Sequence, residues 1–270
     1  MVGVLNVTPD SFSDGGVHEA PADAIDAGCR MADQGADAID VGGESTRPGS
    51  QPVPPEEQIR RTRAVIAGLA QRFGNEGPAI SIDTRSATVA DAALDAGASV
   101  INDVSALRHD PDMAPLAASR RAGVILMHMK GTPADMQNKP TYRDVVAEIM
   151  DFLGQRIERA TDAGIARERI IVDPGIGFGK TTAHNLEIFR RINEFRALGV
   201  PVLVGPSRKR FIGEVLGIAD PLDRLAGTTA AVAACVLAGV ECVRVHDVRA
   251  CRQVAVLCAA IRRGPSPAEF

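Results

Sequence analysis

Side chains able to hold or transform a ligand recur at one kind of place in this sequence, directly after short runs of Val, Ile and Leu. Asn6 follows Val-Gly-Val-Leu, Asp83 follows Ala-Ile-Ser-Ile, Asn102-Asp103 follow Val-Ile, His128 follows Val-Ile-Leu-Met, and Asp173 follows Ile-Ile-Val. Asp40 lies in the second run ahead of Gly42-Gly43-Glu44, Ser207-Arg208-Lys209 follow Val-Leu-Val-Gly-Pro, and Arg244 and His246 alternate with valine in Cys-Val-Arg-Val-His. Burying such groups costs roughly 2–7 kcal/mol each without a partner. A polar ligand would supply partners, and so would salt bridges within the set. The set divides into two chemistries. Asp83, Asn102 and Asp173 suit a flat heterocycle with adjacent N–H donors and ring acceptors, such as a pterin or guanine edge, because a carboxylate accepts two parallel hydrogen bonds. Arg47, Lys209, Arg244 and His246 are donors suited to phosphate or diphosphate.

The elements that must position these residues are legible as an alternation. Strand patterns fall at 2–5, 38–41, 79–82, 100–101, 124–127, 170–172, 202–204 and 242–245, with helical patterns at 22–34, 55–72, 87–96, 112–121, 144–163, 186–195, 226–239 and 248–262. Eight strand–helix pairs is the count of a (β/α)8 barrel, in which ligands bind at the C-terminal ends of the strands. A doubly wound open sheet has the same alternation, but no linker divides the chain into halves. The sequence therefore predicts an α/β protein with a single TIM barrel over residues 1–263. Long loops at 6–21, 42–54 and 128–143 rise from its C-terminal face, and 264–270 form a frayed tail. Several predicted helices end on glycine before the next strand, at Gly35, Gly97, Gly123 and Gly239, as left-handed caps do.

Composition narrows the function. The 270 residues carry 30 Lys and Arg against 34 Asp and Glu, a net charge of −4 that offers no field for nucleic acid. With Phe 8, Tyr 1 and Trp 0, aromatic platforms for stacking a base are scarce. The five cysteines form no C-x-x-C pair, which argues against a zinc site and against a disulfide framework. The N-terminal segment lacks the pattern of a signal peptide, and no apolar run reaches the ~18 residues of a membrane span. The expectation is a cytoplasmic protein with no nucleic-acid or membrane partner. Residues 173–181, Asp-Pro-Gly-Ile-Gly-Phe-Gly-Lys-Thr, imitate a phosphate loop. Pro174 stands where a Walker motif needs glycine, and Lys180 where the dinucleotide fingerprint needs it. These glycines are instead expected to form mobile backbone around a ligand, with Asn185 capping the next helix.

Longer motifs carry a family resemblance. Residues 3–16 (GVLNVTPDSFSDGG) and 40–49 (DVGGESTRPG) resemble the signatures of the dihydropteroate synthase family. So do Ser81-Ile82-Asp83-Thr84, Asn102-Asp103-Val104, the 173–181 segment, Ser207-Arg208-Lys209-Arg210 and Arg244-Val245-His246-Asp247-Val248. The resemblance runs from residue 3 to about 256. It implies a TIM-barrel transferase, dimeric, that joins 4-aminobenzoate to 6-hydroxymethyl-7,8-dihydropterin diphosphate. It further implies that Asp83, Asn102, Asp173, Gly205 and Lys209 hold the pterin between Met127 and Arg244. Asn6, Arg244 and His246 would hold the diphosphate with Mg²⁺, Asn6 being the metal ligand. Loops bearing Phe12, Asp14, Thr46, Arg47 and Pro48 would close over the site, and Phe178 and Lys209 would border the aminobenzoate. Asp83, Lys209, Asp14 and Arg47 would carry the chemistry. A methyltetrahydrofolate-binding methyltransferase shares the Asp/Asn set but has no need of Arg47 or of the Arg244/His246 pair. Arg210 stands where some relatives have serine.

Overall fold

A computed structural model describes residues 1–7, 20–44, 52–132 and 135–264. Eight parallel strands run β1 (Val2–Asn6), β2 (Ala38–Gly42), β3 (Ala79–Asp83), β4 (Val100–Asp103), β5 (Gly123–Met127), β6 (Ile170–Asp173), β7 (Leu203–Val204) and β8 (Cys242–Val245). They are hydrogen-bonded in the order β6-β5-β4-β3-β2-β1-β8-β7. A single parallel bridge, Val172 to Val202, joins β6 to β7 and closes the ring. β7 is short because Pro201 precedes it. Proline has no N–H to give the ladder, and its carbonyl instead accepts from Val172 N at 3.0 Å. The barrel of the sequence reading is thus the observed architecture.

Strand parity decides what each residue faces. Val2, Ile125 and Leu203, with Ala38, Val100, Ile171 and Cys242 against them, form an apolar cluster of their own, the lower filling of the barrel. The neighbours of opposite parity, including Ile39, Val41, Ile82, Ile101, Leu126, Val172, Val204 and Val245, belong to the large core beneath the helices. Stepping two residues up each inward row reaches Asp40, Asn102, Met127, Asp173, Gly205 and Arg244. Polar residues at the strand ends are therefore the top of the barrel filling. Asp103, of outward parity, serves the wall: its carboxylate accepts from the N–H groups of Ser105 (2.7 Å) and Leu107 (2.9 Å) and fixes the turn after β4.

The helices are α1 (Ala20–Asp33), α2 (Pro55–Phe73), α3 (Ala87–Asp95), α4 (Met113–Ser119), α5 (Val145–Asp162), α6 (Thr182–Arg190), α7 (Arg210–Leu216), α8 (Leu225–Leu237) and α9 (Val248–Arg263). Three details differ from the sequence reading. α6 starts at Thr182 because Thr181 and His184 form a reciprocal capping box; Asn185 is inside the helix. α7 was not predicted, since Gly213 at its centre lowers helix propensity. That glycine is a packing requirement, as a Cβ there would lie 2.4 Å from the Ile218 carbonyl. Before β5 the left-handed residue is Arg121 (φ 51°), and Gly123 is already in the strand. The expected tail beyond Gly264 lies outside the described residues.

Candidate active site

At the C-terminal mouth, Asp83, Asn102, Met127, Asp173, Gly205 and Arg244 line one small cavity, joined by Phe178, Ser207, Lys209 and His246 from the loops. Each arrives by the same logic: an apolar β-branched run holds the strand, and the residue of inward parity at its end is presented to the mouth. The cavity of about 40 Å³ is far smaller than the roughly 300–1,000 Å³ of a small-molecule pocket. A larger ligand must displace side chains, and Arg244 and Lys209 are the long ones at the rim.

Arg244 is fixed by two buried carboxylates. Its Nε donates to Asp40 Oδ2 at 2.6 Å and its Nη2 to Asp83 Oδ2 at 2.9 Å. Asp40 is fully buried and also accepts from Ser81 Oγ (2.5 Å) and Asn102 Nδ2 (2.9 Å). The sequence placed Asp40 among the polar residues able to meet a ligand. It braces side chains instead, setting Ser81, Asn102 and Arg244 from below. Asp83 keeps one oxygen, Oδ1, buried and without a hydrogen-bond partner among the described residues. Burial pushes its carboxyl up to about 7 despite the opposing Arg244 charge, and Asp40, Asp103 and Glu44 push the same way.

Asp173 faces the mouth from β6. Its Oδ1 accepts from Gly175 N at 2.7 Å; burial raises its pKa, opposed by that hydrogen bond and by Lys209, Lys180 and Arg244. Lys209 donates to the Ile176 carbonyl and places Nζ 4.3 Å from the centre of the Phe178 ring. Burial lowers its amine to about 8, with Asp173 pulling it back up. Arg208, one of the polar residues after the seventh strand, adopts a left-handed φ of 58° and pairs in bidentate fashion with Asp247 at 3.0 and 2.6 Å. That pair ties the residue before Lys209 to the residue after His246. Ser207 Oγ meets the His246 backbone N–H (3.2 Å) and Nδ1 (3.0 Å) from the same side.

The glycines of the loop after β6 serve close approach, where the sequence suggested mobility. Gly175 has φ +69°, and a Cβ there would sit 1.9 Å from the His128 carbonyl oxygen. Gly175→Ala is expected to cost about 3 kcal/mol or more, from left-handed strain plus the clash. Urea unfolding measures this, and a loss under about 1 kcal/mol would contradict it. Asn185, expected as a helix cap, accepts from Gly177 N at 2.8 Å and so fixes this loop from within α6.

Asn6 ends β1, half-buried, outside the cavity lining. Arg210 points to solvent and pairs with Glu214 at 2.5 Å. Phe12, Asp14, Thr46, Arg47 and Pro48 lie outside the described residues. Among the described residues no group of three or more His, Cys, Asp and Glu could hold a metal. Nor is any helix long and apolar enough to cross a membrane. Ser81, given no site role by the sequence, has a signal only in hindsight, its inward parity on β3.

Comparison with known proteins places this arrangement. A model of the family "Pterin binding enzyme" matches residues 2–246. Dihydropteroate synthase of Synechocystis is 43% identical over 263 residues, covering 97% of this chain and 90% of that protein. Dihydropteroate synthase of Xanthomonas albilineans, solved with 4-aminobenzoic acid, superposes with a TM-score of 0.91 at 45% identity, covering 98% of this chain and 93% of that one. The same enzyme in complex with 7,8-dihydropteroate gives a TM-score of 0.87 at 42% identity over 98% and 94% of the two chains. With a family match across nine-tenths of its length and relatives this similar over nearly the whole of theirs, the chain belongs to the pterin binding enzyme family, among the dihydropteroate synthases.

Proposed function

We propose that this chain condenses 6-hydroxymethyl-7,8-dihydropterin diphosphate with 4-aminobenzoate, giving 7,8-dihydropteroate and diphosphate. The observation that carries the reading is Asp83 Oδ1, a buried acceptor at the inner rim of the barrel with no partner among the described residues. Asp173 and Asn102 line the same cavity. A pterin ring brings adjacent N–H donors to such acceptors, and Lys209 would meet its carbonyl edge. Met127 and the Arg244 guanidinium supply soft and planar surfaces for its two faces.

The reaction then needs little from a strong base. The methylene carbon–oxygen bond breaks and its electron pair leaves with diphosphate. Cationic side chains favour that departure by neutralising charge as it develops. The carbocation left behind is conjugated with an electron-rich dihydropterin and lies near the Asp83 carboxylate. The arylamine nitrogen forms the new bond from a fixed position and gives up a proton, so proximity supplies much of the acceleration. Arg244 and His246 are proposed to hold the diphosphate.

Mg²⁺ fits the donors present. Asn6 offers a neutral oxygen ligand at the mouth, and a cation that prefers oxygen and keeps several waters would take its other protein-independent ligands from diphosphate. Bound there, the metal would neutralise leaving-group charge. By resemblance, Phe12, Asp14, Thr46, Arg47 and Pro48, which lie outside the described residues, would act on the arylamine side of the site. We place the enzyme in the cytoplasm, a reading supported by five free cysteines. We also propose a homodimer, supported by exposed apolar side chains such as Leu257 and Ile261 on α9; sedimentation at the mass of one chain would reject it.

The test of function is diphosphate release. Release is expected only with both substrates and a divalent cation present. Pterin diphosphate should bind alone, whereas 4-aminobenzoate alone should bind weakly, because its pocket is completed by the loops and diphosphate. No release with both substrates would reject the reading, and tight binding of 4-aminobenzoate to the empty enzyme would reject the order.

A further inference from the structure

Lys180 is buried to 3% exposure and contributes nothing to the cavity lining, and Asp173 acts on its charge without a direct ion pair among the described residues. Burial lowers the Lys180 amine well below its ordinary pKa, with Asp173 pulling it back up; its N–H donors must still be satisfied inside the protein, and three partners surround them. The Phe178 carbonyl lies at 2.9 Å, His128 Nδ1 at 2.9 Å and the His128 carbonyl at 3.4 Å. Burial, with the Lys180 charge next and then that of Arg108, drives His128 down to about 2, so its ring is neutral, and Nδ1 accepts from Lys180 in the tautomer that carries its proton on Nε2.

These contacts join two loops. The loop after β5 reaches the loop after β6 again through Gln137 Nε2 on the Gly177 carbonyl (2.8 Å) and Tyr142 Oη on the Gly179 carbonyl (2.8 Å). The backbones touch so closely that a Cβ on Gly179 would lie 2.3 Å from the Lys130 carbonyl. The side chain this interlock presents is Phe178. It packs on Met127, Met129 and Met136 and carries the Lys209 amine over its ring.

We propose that Lys180 is a positioning residue for the arylamine side of the site: it ties the two loops together and thereby fixes Phe178 and, through it, Lys209. The inference rests on the function proposed above. It assigns a task to a buried amine that the reaction itself does not use, and it makes the loop after β5 part of the arylamine wall.

Lys180→Met keeps an unbranched apolar stem one atom shorter and removes the amine donors. The KM for 4-aminobenzoate is expected to rise about tenfold, the cost of one charge-assisted hydrogen bond's worth of positioning, while the KM for pterin diphosphate changes less than about threefold. His128→Asn, whose amide oxygen can replace Nδ1, should retain the parent arylamine KM, and His128→Leu should behave as Lys180→Met does. Tyr142 is the sole tyrosine and Trp is absent, so acrylamide quenching of tyrosine emission reads the interlock directly. It should rise about twofold or more in Lys180→Met as Tyr142 loses the Gly179 carbonyl and its burial. Unchanged arylamine KM in an active Lys180→Met, or equal rises for both substrates, would overturn the proposal, as would unchanged quenching. If the parent chain releases no diphosphate at all, the proposed function fails instead, and the quenching comparison still decides the interlock.

Discussion

Replacing Arg244 with alanine is expected to lower kcat/KM by about a thousandfold and to destabilise the fold by roughly 3–5 kcal/mol, because one guanidinium compensates two buried carboxylates. Nε serves Asp40 and Nη2 serves Asp83, and without them two like charges face each other at the barrel mouth. The sign of the pH dependence follows. Burial places the Asp83 carboxyl at about 7 in the folded chain, above its unfolded value, so the native state holds more protons over that interval. Stability from this group is present at acid pH and lost as pH rises toward 7. Removing Arg244 raises the folded pKa further, so the deficit of Arg244→Ala should be larger at pH 8 than at pH 5. Urea unfolding at the two pH values checks this; an equal deficit would show that Asp83 is not the group being compensated. Arg244→Lys is expected to recover part of the diphosphate affinity and little turnover. A single ammonium can sit near phosphate, but it can neither span both carboxylates nor lie flat on a ring. Full recovery by lysine would remove the stacking role.

Asp173→Asn is expected to weaken pterin binding about a hundredfold or more while leaving the fold intact. The amide oxygen can still accept from Gly175 N, as Asp173 Oδ1 does at 2.7 Å, so the loop keeps its anchor. The amide nitrogen then presents donors to the donors of the ring. A second effect reaches Lys209. Asp173 is the main influence holding up that amine, which burial has already lowered to about 8. Without the carboxylate the lysine loses its proton at still lower pH, and the alkaline fall in turnover should move in the same direction. Calorimetric titration with the pterin and a pH–rate profile test the two effects separately. Unchanged affinity would place Asp173 outside the pterin site, and an unmoved alkaline limb would mean that Lys209 does not titrate there.

The sequence by itself determined the barrel and most of its mouth. Val, Ile and Leu in short runs with helical segments between them leave few ways to bury both faces of a parallel sheet, and a polar residue ending such a run is carried to the C-terminal face. Asp83, Asn102 and Asp173 were therefore legible as neighbours from the pattern, and the family resemblance added Met127 and Gly205. Only the tertiary structure decided who pairs with whom. Arg244 lies 204 residues from Asp40 in the chain, and nothing local says that it bridges that carboxylate to Asp83 and leaves Asp83 Oδ1 over. Lys180 reads as part of a failed phosphate loop until His128, 52 residues away, is brought to 2.9 Å. Local runs fix parity and strand ends because those depend on backbone geometry alone. Charge compensation depends on ring closure, which brings distant strands to one small volume.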